Sequence, residues 1–307
     1  MNVLEIHQLN KRFREHQVID GLELTVPEHA VFGFIGQNGA GKTTTMKMVL
    51  GLLKPDSGSI TICGESVRYG ETKSNRHVGY LPDVPEYYGY MNAREYLALC
   101  GEITGLPKKR IQERSGELLE LVGLGSTKKR ISGFSRGMKQ RLGIAQALLH
   151  EPRLLICDEP TSALDPVGRK EILDVLYAAK GKTTVLLSTH ILTDVERICD
   201  HVAILHGGKL ALNGTLSELK EGHRQDGYAL EFRSAEEAAR FAECMKSNRF
   251  AATVAQEGTA IKVQLQLSGT LGGGQSIIGL LAHQQLTPVR FEALEPTLEN
   301  LFMEVIQ

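Results

Sequence analysis

The chain has 307 residues, of which 42% are hydrophobic and 23% charged, as in an ordinary globular protein long enough for one large or two smaller domains. Its 35 basic and 36 acidic residues are mixed along the chain and give a net charge of −1. This balance disfavours nucleic-acid binding through a broad basic surface.

The cysteines and the apolar runs indicate the compartment in which the protein is found. The five cysteines lack C-x-x-C spacing, so we expect reduced thiols in a cytosolic protein, without a zinc site or a disulfide framework. We expect no signal peptide, because residues 1–16 are mixed polar and charged. No apolar run reaches the roughly 18 residues that span a bilayer, so any link to a membrane should pass through a partner.

A glycine-rich turn follows the first strands. Alternation over residues 3–9 and strand material ending at Pro27 predict antiparallel pairing. A short apolar strand over residues 31–35 then leads into residues 36–44, GQNGAGKTT, which open a helix at Lys42. This is the pattern G-x-x-x-x-G-K-[ST], with the preceding strand and following helix that such a match requires.

The chemistry of this turn favours phosphate. Glycines let successive backbone N–H groups point into one cavity at the positive end of a helix. Lys42 adds a charge for the β- and γ-phosphates, and the Thr43 hydroxyl can ligate Mg²⁺. The alternative, a glycine-rich turn that binds nothing, is disfavoured because every position of the pattern is filled.

Strands and helices alternate through the rest of the first two thirds. Residues 86–150 have mostly helical patterns, with a capping box over residues 92–95, and predict a helical insertion. The apolar run 154–157 predicts a central parallel strand that ends at Asp158 and Glu159, and residues 183–187 predict the next one, which ends before His190. This alternation predicts a parallel sheet with helices on both faces.

The character of the chain changes after about residue 216. The order β-α-β-β-α-β, with a last helix over residues 297–305, predicts a small α+β domain. The glycine-rich stretch 269–274 has no Lys-Thr after it and is interpreted as a loop. The predicted fold is therefore α/β, a P-loop NTPase core with an antiparallel β subdomain and a helical insertion over about 86–150. We assign this core to residues 1–215 and an α+β accessory domain to residues 216–307.

Three side chains at strand ends are candidates for catalysis. In a P-loop enzyme, a carboxylate such as Asp158 helps to hold Mg²⁺, and a second one such as Glu159 can polarise the attacking water. The alternative is a solvated acidic turn. His190 lies where ligands bind in open α/β sheets and could donate a hydrogen bond to the γ-phosphate, although a lone histidine is more often structural.

The order of motifs resembles the ATP-binding subunit of ABC transporters over residues 1 to about 215. The motifs are GQNGAGKTT at 36–44, FSRGMKQR at 134–141, LLICDEPTSALD at 154–165 and STH at 188–190. The resemblance implies ATP and Mg²⁺ as ligands and a homodimer or heterodimer. In that dimer each ATP lies between the phosphate loop of one subunit and the signature motif of the other.

The resemblance also implies a role for individual residues. The expected catalytic residues are Lys42, Glu159 and His190. The expected nucleotide contacts are Phe13, Gly36, Gln37, Asn38, Gly39, Ala40, Gly41, Lys42, Thr43, Thr44, Ser135 and Gly137. The expected metal ligands are Thr43, Asp158 and Asp83. Phe13 would stack on adenine, and Asp165 would lie in the loop that crosses the dimer interface.

Two departures from the family pattern stand out. In the signature motif, Arg136 and Met138 replace the usual glycine and glutamine, while Ser135 and Gly137 remain at a helix start. At the Q-loop position, Asp83 replaces glutamine; an aspartate is shorter and, when ionised, cannot donate a hydrogen bond, so direct contact with Mg²⁺ is left open.

The sequence SRGMKQR at 135–141 resembles the signature motif of exporters that have separate membrane subunits. The resemblance then implies a polytopic membrane permease as partner and a place on the inner face of the cell membrane. Residues 87–91, YYGYM, fall where the family grips a helix of that permease, with ordinary packing as the alternative.

Two rival functions come from other classes. A soluble ABC-type ATPase acting on ribosomes or DNA is disfavoured because we find no second ATPase domain, coiled coil or basic arm. A nucleotide-binding regulator that hardly hydrolyses ATP is the second rival, and the intact Asp158-Glu159 pair argues against it.

Overall fold

The computed structural model describes residues 1–71, 73–222, 227–247, 252–265, 273–294 and 297–306. The chain folds into two compact units, one containing Met1–Leu216 and the other Ser217–Met303. The predicted α/β class, with its antiparallel subdomain and helical insertion, is confirmed by the elements of the first unit.

The elements follow one another in chain order. Up to residue 215 they are β1 (Asn2–Phe13), β2 (His16–Pro27), β3 (Val31–Ile35), α1 (Lys42–Val49), β4 (Ser57–Ile62), β5 (Glu65–Ser66), β6 (Val78–Leu81), α2 (Ala93–Ile103), α3 (Lys108–Leu121), α4 (Arg136–Ala147), β7 (Leu154–Asp158), α5 (Pro166–Ala179), β8 (Thr184–Thr189), α6 (Leu192–Ile198), β9 (His201–His206) and β10 (Lys209–Thr215). They continue with α7 (Leu216–Gly222), β11 (Gly227–Glu231), α8 (Ala235–Ser247), β12 (Ala252–Glu257), β13 (Ala260–Leu265), α9 (Gly273–His283), β14 (Arg290–Leu294) and α10 (Leu298–Ile306).

The central sheet of the first unit has the order β10-β9-β3-β8-β7-β6 and is parallel except at β10. Strands β3, β7 and β8 are buried at every residue, as expected of parallel strands covered on both faces. Because β8 lies between β3 and β7, the carboxyl ends of these three strands meet at one edge. Ile35 pairs with Thr189 and Asp158 with Ser188 at that edge.

A second, antiparallel sheet in the same unit has the order β2-β1-β4-β5. Its apolar side chains share one core with the central sheet, including Leu4 and Ile60 from the antiparallel sheet and Phe32 and Leu186 from the parallel one.

The helical insertion of the first unit contains α2, α3 and α4. The predicted capping box is present at α2. Asn92 accepts a hydrogen bond from the backbone N–H of Glu95, and the Glu95 carboxylate accepts one from the backbone N–H of Asn92. Helix α2 thus begins where the capping box predicts.

The second unit contains the antiparallel sheet β12-β13-β11-β14. Helices α8 and α9 contribute Phe241 and Ile277 to a separate apolar core that also contains Leu230 and Val263 of the sheet. The predicted order β-α-β-β-α-β with a final helix is the order found. The loop predicted at 269–274 lies outside the described residues up to residue 272, and the prediction is wrong for its last two residues, which begin α9.

Two short helices and one short strand were not predicted from the sequence. Helices α6 and α7 have seven residues each, and β5 has two, so none contains enough residues to show a periodicity. Helix α5 begins at Pro166, directly after Asp165, which caps it by accepting from Gly168 N–H. Among the helices that the structure describes, none is long and apolar enough to cross a bilayer.

Candidate active site

The phosphate-binding pattern forms a loop between β3 and α1. Gly41 is the N-cap of α1 with φ 107°, and a Cβ there would lie 2.6 Å from Ile19 Cδ1. A Cβ on Gly36 would lie 2.7 Å from Leu205 O, so both glycines are needed for close packing.

The start of α1 is left open to a ligand. No side chain among the described residues caps α1, whereas Asn92 caps α2. The first N–H groups of α1 can therefore serve an anion.

Lys42 lies over this loop. Its Nζ donates to Gly36 O at 2.7 Å and to Gln37 O at 3.4 Å, and lies 3.4 Å from Glu159 Oε1. The lysine side chain is only 6% exposed. The structure thus places the lysine charge between the loop carbonyls and the carboxylate that follows β7. The other predicted nucleotide contacts lie in the outer part of the loop and the first turn of α1, namely Gln37, Asn38, Gly39, Ala40, Thr43 and Thr44.

Thr43 and Asp158, two predicted metal ligands, are in contact. Thr43 Oγ1 donates to Asp158 Oδ2 at 2.8 Å, and Ser188 Oγ donates to Asp158 Oδ1 at 2.9 Å. Asp158 is 3% exposed, and each of its oxygens accepts a hydrogen bond from a hydroxyl of a neighbouring element. A hydroxyl and a carboxylate side by side are oxygen donors of the kind that Mg²⁺ takes. Ser188 was missed as a functional residue, although its place at the end of β8 is a usable signal.

The part of the chain that the structure describes has no group of three His, Cys, Asp or Glu side chains that could hold a metal alone. Magnesium at Thr43 and Asp158 would therefore take further ligands from phosphate oxygens and water, as it commonly does. The donor set present fits a Mg²⁺ ion that arrives with a nucleotide.

Glu159 is oriented by the end of β8. His190 Nδ1 lies 2.9 Å from Glu159 Oε2, and Thr189 Oγ1 donates to the same oxygen at 3.4 Å. The Glu159 N–H donates to Ser188 O at 2.8 Å. Glu159 Oε1 is buried and accepts no hydrogen bond from the described residues, and its nearest charged neighbour is the Lys42 ammonium at 3.4 Å. A carboxylate oxygen that is held in place without a hydrogen-bond donor can accept a proton from water.

Asp83 contacts the signature helix. Its Oδ1 lies 3.5 Å from Arg136 Nη2, and its backbone carbonyl accepts from Gln140 Nε2 at 2.7 Å. Burial raises the pKa of the Asp83 carboxyl above its ordinary value; Asp158 and Glu159 raise it further, and Arg136 opposes them. The buried Gln140, at 0% exposure, was not identified from the sequence.

Ser135 and Gly137 occupy the start of α4. Ser135 Oγ accepts from Met138 N–H at 3.2 Å and caps the helix. A Cβ on Gly137 would meet only Leu164 Cδ2, at 3.9 Å, which is ordinary contact. Packing among the described residues therefore gives no reason for glycine at this position.

A cavity of about 330 Å³ adjoins the phosphate loop. It is lined by residues 16–18, 37–40 and 206–208. Phe13 is not among the lining residues: its ring is 45% exposed, and Lys11 Nζ lies 5.3 Å from the ring centroid. Stacking of adenine on Phe13 remains a prediction, and residues such as Val18 and His206 are further candidates that the motifs did not single out.

The segment 87–91 is divided between packing and exposure. Tyr87 OH donates to Lys139 O at 2.6 Å and so ties the segment to α4. Tyr88 and Tyr90 are 55% and 64% exposed, with ring centroids 6.0 Å apart. The packing alternative therefore describes Tyr87, and the two exposed tyrosines remain candidates for a partner contact.

Comparisons with known proteins agree with this geometry. Residues 19–162 match the family described as ABC transporter. The chain is 39% identical to the ABC transporter ATP-binding protein YxlF of Bacillus subtilis over 99% of both chains. It is 43% identical to the bacitracin transport ATP-binding protein BcrA of Bacillus licheniformis over 73% of each.

Solved structures give the same result for the fold. The ATP-binding subunit of an ABC transporter is 35% identical with a TM-score of 0.65, covering 72% of this chain and 92% of that chain. The structure of cbiO1 from Clostridium perfringens, part of the ABC transporter complex cbiONQ, is 27% identical with a TM-score of 0.66, covering 71% and 90%. The resemblance drawn from the motifs is thereby confirmed: the chain belongs to the ATP-binding proteins of ABC transporters and is an ATPase.

Proposed function

We propose that this protein hydrolyses Mg-ATP at two sites in a dimer and thereby powers export through a separate membrane permease. The observation that carries the catalytic part is the convergence of Thr43, Asp158, Glu159 and His190 beside the phosphate loop. These four side chains form two hydrogen-bonded pairs, Thr43 with Asp158 and Glu159 with His190.

Each side chain has a separate task in this proposal. Lys42 and the N–H groups of α1 would bind the phosphates, and Thr43 and Asp158 would hold the metal. Bound Mg²⁺ would neutralise phosphate charge. Glu159 accepts the proton of the attacking water through Oε1. His190 holds Glu159 Oε2 through Nδ1, which leaves Nε2, on the other side of the ring, for the γ-phosphate.

The dimer follows from the two halves of the site. One chain supplies one phosphate loop and one signature motif, so each ATP would lie between residues 36–44 of one subunit and Ser135 and Gly137 of the other. The open space around Gly137 supports this, because it leaves the start of α4 accessible to a phosphate. Asp165, the cap of α5, would lie at the interface.

The transport part rests on relatives and on exposed residues. BcrA relatives are named for bacitracin transport, and cbiO1 is part of the complex cbiONQ. We propose a polytopic permease as partner, bound near the exposed Tyr88 and Tyr90, and hence a peripheral position on the inner face of the membrane. Residues 1–215 would form the ATP-binding domain and residues 216–307 an accessory domain.

One experiment separates this function from its rivals. Glu159→Gln should retain ATP and hold the dimer closed, so a pull-down from native membranes with this variant and ATP should recover a polytopic membrane protein in near-equal amount. Recovery of ribosomal or DNA-repair proteins, with nothing from the membrane, would overturn the transport proposal. A turnover assay of the same variant tests the base: wild-type activity no higher than that of Glu159→Gln would exclude Glu159 from that role.

A further inference from the structure

The turn after β7 has an unusual backbone. Glu159 has φ 48° and Ala163 has φ 54°, both in the left-handed region that residues other than glycine rarely adopt. Such conformations persist where surrounding contacts hold them. The same turn contains the proposed base, so whatever holds the turn also sets the direction of the Glu159 side chain.

A buried hydrogen bond holds the middle of this turn. Thr161 Oγ1 donates to Asp194 Oδ2 at 2.6 Å, with the two residues 1% and 3% exposed. Within the turn, Ser162 N–H donates to Glu159 O at 3.1 Å and Leu164 N–H to Thr161 O at 3.3 Å. Thr161 thus attaches the turn to helix α6, in addition to the attachment of Glu159 N–H to Ser188 O at the end of β8.

The second oxygen of Asp194 links a third element. Arg169 Nη2, on α5, donates to Asp194 Oδ1 at 2.6 Å. Helix α5 begins just after Asp165, and α6 begins two residues after His190. One buried carboxylate therefore joins the turn that carries Glu159, the helix that follows Asp165 and the helix that follows His190.

We propose that Asp194 is a positioning residue for hydrolysis: through Thr161 and Arg169 it holds the turn with Glu159 in register with His190. The inference rests on the proposed role of Glu159 as base. Both oxygens of Asp194 are engaged by Thr161 and Arg169, so its effect on Glu159 passes through Thr161. Without that bond the turn relaxes toward commoner backbone angles and the carboxylate of Glu159 leaves the line of the attacking water.

Loss of the hydrogen bond between Thr161 and Asp194 should slow the chemical step and leave ATP binding unchanged. The phosphate loop and the adjoining cavity are built from β3, α1 and residues 16–18 and 206–208, none of which contributes to this network. A displaced base lowers kcat by about 10- to 100-fold, since sub-ångström placement matters for reacting groups. The KM for ATP should stay within about twofold, because ground-state binding is unchanged.

The test uses matched variants of the full chain. Thr161→Val removes the hydroxyl at nearly constant shape, and Thr161→Ser keeps it as the conservative variant. Arg197→Gln is the control, because Arg197 Nη2 donates at 2.9 Å to Asp174 Oδ1 and so also joins α6 to α5, but on the exposed surface. For each variant, kcat, KM and the thermal midpoint are measured, and Thr161→Val is also combined with Glu159→Gln.

The proposal predicts loss of kcat in Thr161→Val alone, recovery in Thr161→Ser and wild-type values in Arg197→Gln. It also predicts no further loss when Thr161→Val is added to Glu159→Gln, because both changes remove the same step. Wild-type kcat in Thr161→Val with an inactive Glu159→Gln overturns this inference and leaves the base in place. Losses that multiply in the double variant overturn it as well, since they indicate general destabilisation. An active Glu159→Gln instead removes the base assignment on which the inference rests.

Discussion

Arg136 Nη2 lies 3.5 Å from Asp83 Oδ1, so two residues in which this chain departs from its family pattern contact each other. The signature glycine and the Q-loop glutamine are replaced by a cation and an anion that face one another. The arginine therefore meets a carboxylate, and the aspartate meets a positive charge. The pair connects the Q-loop to the helix that presents Ser135 and Gly137.

The Asp83–Arg136 pair should contribute little to stability. Both side chains are nearly half exposed, at 47% and 46%, and exposed pairs are worth at most about 1 kcal/mol. Asp83→Asn, Arg136→Gln and the double variant, compared by urea unfolding, should give a coupling energy below that value. A larger coupling, or one that resists high salt, would contradict the exposed geometry.

The hydroxyl–carboxylate contact at the metal position predicts a changed need for magnesium. Asp158→Asn and Thr43→Val should each raise the Mg²⁺ concentration for half-maximal turnover, by about tenfold or more for Asp158→Asn. The measurement is ATPase rate against Mg²⁺ at constant ATP. Thr45→Val is the control: it removes a hydroxyl that donates to Gly41 O in the same helix, and should not alter the Mg²⁺ requirement. Unchanged Mg²⁺ dependence in both site variants would remove these residues from the metal site.

A shared site predicts complementation between two inactive variants. Lys42→Ala damages the phosphate loop. Gly137→Asp places a carboxylate at the start of α4, where the space is open and the helix dipole favours it, so the fold should be kept while phosphate is repelled. Random mixing makes half of the dimers mixed, each with one intact site, and should restore about one quarter of wild-type turnover. A mixture as inactive as its components, with mixed dimers present, would argue against a site shared between two copies.

Two glycines should respond oppositely to the same substitution. A Cβ on Gly79 of β6 would lie 2.1 Å from Ala147 O, a backbone atom at the end of α4 that cannot move freely. Gly79→Ala should therefore cost at least about 2 kcal/mol of unfolding free energy. Gly116 lies within α3 with nothing within 4 Å of its Cβ position, so Gly116→Ala should add about 0.5 to 1 kcal/mol. Urea unfolding measures both; similar effects of the two changes would contradict the packing described.

His150 should make stability sensitive to mild acid. Burial lowers the pKa of its imidazole below the ordinary 6.5, and the contact of Nε2 with Val78 O at 3.1 Å only partly offsets this. As the pH is lowered through 6.5, His150 gains a proton in the unfolded chain but not in the folded chain. The free energy of unfolding therefore decreases as the pH is lowered. The stability of wild type relative to His150→Gln should decrease between pH 7.5 and pH 5.5. A difference that is constant over this range would show that His150 does not titrate differently on folding.

The phosphate loop, the ordered motifs and the positions of most elements could be predicted from the residues themselves. The loop is a local pattern, because its glycines, Lys42 and Thr43 act over one turn and one helix start. The capping box at Asn92 and the apolar run 154–157 of β7 could be recognised for the same reason. Longer elements were predicted within a few residues, whereas the seven-residue α6 was missed because so short a helix shows no period.

Which distant side chains meet depends on tertiary packing. The strand order β3-β8-β7 brings Thr43 to Asp158 and His190 to Glu159, although 115 and 31 residues separate the partners. The contacts of Asp83 with Arg136 and of Thr161 with Asp194 also depend on tertiary packing, because Arg136 and Asp194 lie on helices that pack against the sheet. No motif spacing encodes these distances, since they depend on the crossover connections and on how the helices pack on the sheet. The sequence therefore indicated the chemistry, and packing decided how its groups are oriented toward one another.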